Sequence, residues 1–151
     1  MAHISAAFSE LWRMLVVFFA AFIPLSESKG AVIISHILKL QLVPSGIVSA
    51  TGAFVPIPFI LNSNIHIKTK ADAGKKATFK KYIEKYGCWA LLAITAIPCT
   101  GVGLWLAAIL ARLTGVDKKK AAAAIFVGDL IATFFVVAVV AGVKLSISRL
   151  F

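Results

Sequence analysis

The sequence predicts an all-α integral membrane protein built as an inverted repeat, each half a re-entrant helical hairpin plus one transmembrane helix. Three observations lead there. First, 60% of the 151 residues are hydrophobic and the mean hydropathy is +0.95, against about 45–50% apolar in soluble domains. A soluble fold of this size cannot bury so much apolar surface, so the bilayer is its solvent. Second, two proline-centred breaks interrupt apolar segments at matching places, at Pro24 and Pro98, 74 residues apart. Third, only the run Ala121–Val143 is plainly long enough to cross a bilayer, which takes about 20 apolar residues.

The elements follow in order. The first apolar segment, Ile4–Ile23, carries Glu10 and Arg13, an i,i+3 pair by spacing. It lacks the basic start and small-residue cleavage site of a signal peptide, so it is expected to stay in the mature fold. The second segment is Gly30–Val43, with His36 and Lys39; the third, Ser45–Leu61, is kinked by Pro56 and Pro58. The fourth and fifth are Tyr86–Ile97 and Val102–Thr114, and the sixth is Ala121–Val143, broken only by Asp129. Segments two, four and five reach roughly 20 Å at 1.5 Å per residue, short of a crossing. Segments one–two and four–five are therefore read as hairpins that enter the membrane and turn back at Pro24 and Pro98.

The inversion is a matter of parity. A hairpin crosses zero times and the following helix once, so the second half starts from the opposite side. A single membrane domain over 1–151 is expected, with repeat 1 at about 4–62, an amphipathic linker at about 63–85 and repeat 2 at about 86–147. Thr51-Gly52-Ala53 and Val127-Gly128-Asp129 are alike at an offset of 76. Interrupted helices at corresponding places in two halves point to a transport site.

Charge sets the orientation. The net charge of +10 is concentrated in the lysine-rich stretch Lys68–Lys85 and in Lys118–Lys120. Both fall on one side, assigned to the cytoplasm of a multi-pass inner- or plasma-membrane protein. Membrane lipids are the expected partners of these lysines; nucleic acid is not, since no reader domain accompanies them. Phe79, Tyr82, Ile83 and Tyr86, at i, i+3, i+4 and i+7, predict a short amphipathic helix in the headgroup region. Asp117 is a suitable N-cap for the sixth helix.

The candidate site residues sit at the breaks and in the last helix. Glu27 lies at the first tip, where a buried carboxylate is either a proton-exchanging group or a cap for exposed backbone amides. Asp129 is the other intramembrane acid, either functional or held in a fixed pair with Arg112 or Lys29. Lys29 and Arg112 are candidates for an anionic group, although Arg112 is also placed to snorkel to the interface. Pro24, Ser26, Ser28 and Gly30 form the first tip; Pro98, Thr100, Gly101 and Gly103 form the second. The helix starting after each tip presents free N–H groups, a site for an anion such as phosphate or carboxylate. The alternative is that proline and glycine merely permit tight turns. No P-loop, nucleophile–base pair or metal-ligand spacing occurs, so neither an enzyme, a cofactor nor a metal is expected.

Pro24-Leu25-Ser26-Glu27-Ser28-Lys29-Gly30-Ala31, Thr51-Gly52-Ala53 with Pro56 and Pro58, Ile97-Pro98-Cys99-Thr100-Gly101-Val102-Gly103 with Trp105, and Gly128 resemble the small multidrug export protein family. The resemblance covers about residues 15–143. That family is similar in plan to the DedA (VTT-domain) membrane proteins, which carry paired re-entrant hairpins. The resemblance implies export of small molecules, and the DedA-like plan implies movement of an anionic lipid-linked phosphate driven by a cation gradient. Glu27 would match the essential acid of the first hairpin. The expectation is a proton- or cation-coupled transporter of an anionic amphiphile, with a small-molecule (multidrug) exporter or a non-transporting scaffold as alternatives. A chain this small is expected to form a homodimer that seals its site.

Overall fold

A computed structural model of the chain describes residues 2–23, 26–63, 73–98 and 103–150. Pro24, Thr100 and Gly101 of the expected tips lie outside the described residues, as does most of the lysine-rich stretch before residue 73. Among the described residues the fold is helical throughout: α1 (Ala2–Phe22), α2 (Glu27–Ile37), α3 (Leu42–Phe54), α4 (Pro56–Asn62), α5 (Ala73–Tyr86), α6 (Cys88–Ala96), α7 (Leu104–Leu113) and α8 (Lys118–Leu150).

Two stretches are long and apolar enough to cross a membrane, Leu42–Asn62 and Lys118–Ser146. The first is α3 and α4 together. Pro56 cannot donate to the helical ladder, so α3 ends at Phe54 and α4 restarts with Pro56 in its first turn. By contrast, α2, α6 and α7 have 11, 9 and 10 residues, about 14–17 Å of helix. Large apolar side chains point outward along α1 and α8: Trp12 is 63% exposed, Phe19 64% and Phe135 57%. Such a surface suits a hydrocarbon solvent and would be a liability in water.

The interior is made of small side chains. Ala21, Ala31, Ala50, Ala107, Ala108 and Ala111 are buried to the last atom, with Val17, Ile57, Leu91, Leu104 and Ile125 between them. Without a hydrophobic drive inside lipid, helices associate through close backbone approach, which small residues allow. Two glycines bring this to its limit. A Cβ on Gly52 of α3 would stand 2.5 Å from the Phe18 carbonyl oxygen of α1, and one on Gly128 of α8 would stand 2.7 Å from the Leu92 carbonyl oxygen of α6.

These crossings keep the offsets seen in the sequence. Phe18 and Leu92 are 74 residues apart, as are the ends of α1 and α6 at Phe22 and Ala96; Gly52 and Gly128 are 76 apart, as are the starts of α3 and α8 at Leu42 and Lys118. The short helices between them close alike. After α2, Lys39 N–H bonds to His36 O and Leu40 N–H to Ser35 O, with Lys39 at φ +57°. After α7, Gly115 N–H bonds to Arg112 O and Val116 N–H to Ala111 O, with Gly115 at φ +70°. Both are Schellman motifs, which need a left-handed residue, and 39 and 115 are again 76 apart. The long helices run in opposite directions: Gly46 faces Val137 while Phe54 faces Phe126, their rings 4.7 Å apart.

Lys39 takes its left-handed φ without being glycine, which costs about 1 kcal/mol. Lys39→Gly is therefore expected to stabilise the protein by up to that amount, read as a higher unfolding midpoint in detergent, while Gly115→Lys lowers it.

Two local expectations come out differently. Arg13 is directed to the Leu38 carbonyl, 3.5 Å away, rather than to Glu10. The second helix starts at Glu27 instead of Gly30, because Ser26 and Glu27 N–H bond back to Ile23 O and carry the turn straight into α2. The amphipathic helix forms as α5, with Ile83 buried in the core, Phe79 packed against it, and Tyr82 and Tyr86 half exposed. Asp117 does cap α8, its Oδ1 accepting from Lys120 N–H at 3.0 Å.

Candidate functional site

The first break delivers its polar residues inward. Glu27, Ser28 and Lys29 occupy the first turn of α2, where Glu27 and Ser28 are buried. Glu27 has φ +46°, a left-handed conformation that a residue with a Cβ adopts at a cost of about 1–3 kcal/mol. That twist aims its carboxylate away from its own helix and toward the second break.

There it meets backbone. The Glu27 carboxylate accepts a hydrogen bond from the Leu104 N–H at the start of α7. It also lies directly over Gly103, the N-cap of that helix: a Cβ there would overlap Glu27 Oε1 and stand 2.9 Å from Oε2. Helix N-termini hold anions because their first N–H groups are unpaired and the dipole is positive there. Here the anion is supplied by the chain itself. Above this contact Phe22, ending α1, packs edge-on against Trp105 of α7 with ring centres 6.4 Å apart. The starts of α2 and α7 thus meet face to face.

The second acid comes from α8 and the lysine between the two acids from α2. Asp129 is wholly buried in α8, and Ser28 donates its hydroxyl to Asp129 Oδ1 at 2.6 Å. Lys29 Nζ lies 3.4 Å from the same oxygen and 3.6 Å from Glu27 Oε2. Two carboxylates therefore share one ammonium. Asp129 Oδ2 and the Thr133 hydroxyl, one turn further along α8, are buried and have no hydrogen-bond partner among the described residues. Burying charge is expensive unless it is paired, and a centre with two acids per lysine is one positive charge short of balance.

The other expected site residues divide. Ser26, the residue before α2, makes no side-chain cap, but Gly30 lies against its hydroxyl and donates its N–H to the Ser26 carbonyl at 2.8 Å. Pro98 stands just after α6, half buried. Arg112 is not with the carboxylates: it donates to Ile60 O at 3.4 Å and Ser63 Oγ at 3.1 Å. With Lys118 and Lys119 it lines a cavity of about 600 Å³ beside the start of α8. Of the two partners weighed for Asp129, the structure selects Lys29. Among the described residues no three His, Cys, Asp or Glu side chains gather as a metal site.

Sequence reasoning missed what Gly103 does. Its place in Gly101-Val102-Gly103 signals a close backbone approach, and the group that approaches is Glu27 rather than a bound anion. Thr133 gave no signal, being one threonine in an apolar run.

No curated protein and no solved structure matches the chain. A family model does, that of the Putative small multi-drug export protein family, over residues 27–135. The matched span opens on Glu27 and takes in Lys29, Gly103, Asp129 and Thr133. Together with two helices of membrane-spanning length and an outward apolar surface, that match identifies a membrane protein, and the chain belongs to the Putative small multi-drug export protein family.

Proposed function

We propose that this protein exports small cationic molecules across the cell membrane in exchange for protons, at a charged centre between two re-entrant hairpin tips. The observation that carries the reading is the Glu27 carboxylate lying in the N-terminus of α7 while sharing Lys29 with Asp129. The family description points to small-molecule export, and the site chemistry points to the sign of the substrate. A surplus carboxylate attracts a proton or a cation. Asp129 Oδ2, buried and unpartnered, is the oxygen on which a proton can reside. A cation arriving at Glu27 competes with that proton, and such competition couples the two fluxes.

The same observation weakens the anionic-substrate reading. The N-terminal cradle of α7, expected to take a phosphate, is filled by Glu27, and the lysine expected to assist is committed to two acids. A phosphate would have to displace a carboxylate from a centre that is already negative.

The hairpin and inverted-repeat plan is part of the proposal. It is supported by helices too short to cross, by antiparallel α3 and α8, and by crossings and caps that recur at offsets of 74 and then 76. The change of offset puts two additional residues in the second tip. Lys118 Nζ bonds Asn62 Oδ1 at 3.2 Å, joining the two lysine-bearing ends on one side, which positive-inside bias makes cytoplasmic.

The test is flux in proteoliposomes loaded with a fluorescent cation such as ethidium under an imposed pH gradient. Wild type is expected to move dye out of the vesicles as protons run down their gradient into them, and Glu27→Gln, which keeps shape and loses charge, to lose that coupled movement. Undiminished gradient-driven flux in Glu27→Gln, or flux of a lipid phosphate but no cation, overturns the reading.

A further inference from the structure

The helix before the second hairpin opens onto a groove that the transport reading leaves unused. Gly87, at φ +59°, breaks the chain between α5 and α6. On the two sides of that break, Phe79, Tyr82 and Tyr86 of α5 and Trp89, Ala93 and Ile97 of α6 face one common space of about 330 Å³. No polar atom lines it, and its volume lies within the range of small-ligand pockets, about 300–1,000 Å³. Trp89 is 74% exposed and Ile97 59%, so the groove is open along its length. The α6 side extends from Trp89 to Ile97, roughly 12 Å of rise, and ends beside Pro98.

The rim is cationic. Lys85 Nζ lies 5.1 Å over the ring of Tyr86, itself a lining residue. Lys80 is paired with Glu84 at 3.7 Å, the only acid on α5, which leaves Lys85 as the ammonium at the groove's edge for an outside anion. A slot for a hydrocarbon chain with an ammonium group at its mouth matches an anionic phospholipid.

We propose that the α5–α6 groove holds one acyl chain of an anionic phospholipid, with its headgroup phosphate against Lys85. The lipid braces α5 on the first arm of the second hairpin and reaches the edge of the second break.

The test uses the full chain in phosphatidylcholine vesicles containing brominated phosphatidylglycerol or, separately, brominated phosphatidylcholine, with quenching of Trp89 taken as the difference between wild type and Trp89→Phe. The brominated anionic lipid is expected to quench Trp89 at a lower mole fraction, by roughly fivefold for the one lysine engaged. Lys85→Gln is expected to remove that preference and leave quenching by the zwitterionic lipid unchanged. Ala93→Leu, which fills the groove while keeping Lys85, is expected to reduce quenching by the anionic lipid. Equal quenching by the two lipids, a preference that survives loss of Lys85, or no effect of Ala93→Leu overturns the proposal.

Discussion

Gly103→Ala is expected to abolish coupled export while leaving the protein folded and inserted. The methyl group would overlap Glu27 Oε1 and crowd Oε2, so the carboxylate must leave the first turn of α7. It then loses the Leu104 N–H and its distance to Lys29, and the centre comes apart without any change of charge. A loss of roughly a hundredfold in flux is expected, the scale attached to misplacing a reacting group by about 1 Å. The fold is spared because the obstructed atoms are the far end of a flexible side chain. Shortening that side chain as well sharpens the test: in Glu27→Asp with Gly103→Ala the clash is relieved and part of the flux is expected to return. Gly103→Ala transporting at wild-type rate would mean that the Glu27–α7 contact has no part in transport.

The largest effect on stability is expected at Gly128. There the obstructing atom is backbone: a Cβ would come within 2.7 Å of the Leu92 carbonyl as well as overlapping Thr95 Oγ1. Neither α6 nor α8 can shift without opening the interface around Leu91 and Ile125. Gly128→Ala is expected to cost about 2–4 kcal/mol, above the usual range of about 1–3 for overpacking, read as a fall in the thermal midpoint in detergent. Removing the threonine side chain in Gly128→Ala with Thr95→Ala restores only a minor part, since the carbonyl stays. Gly52→Ala is expected to behave alike at the Phe18 carbonyl. Alanine at either glycine without loss of stability would show that the helices are not in backbone contact there.

The two glycines also mark how far the sequence could be read. Gly52 and Gly128 stood out only as letters in two similar triplets at an offset of 76, with no partner attached. In the fold each clears a backbone carbonyl of an earlier helix, Phe18 of α1 or Leu92 of α6. The exclusion of Arg112 from the charged centre was not legible either. Its spacing from Asp129 in sequence permits a pair, and only the packing of α7 against α4 sends its guanidinium to Ile60 and Ser63.

What the sequence determined by itself was the solvent and the punctuation. An apolar fraction of 60% leaves no aqueous fold available, and the two prolines cut helices whose lengths follow from 1.5 Å per residue. It also singled out Glu27, Lys29 and Asp129, because charge in an apolar run is costly wherever the chain goes. Tertiary structure decided which of these charges share a centre, and which group occupies the α7 N-terminus. Those depend on a left-handed Glu27, on helices brought together by Gly52 and Gly128, and on atoms up to 101 residues apart, such as Ser28 Oγ and Asp129 Oδ1. Residue spacing carries local periodicity; it carries no record of which carboxylate will lie over which glycine.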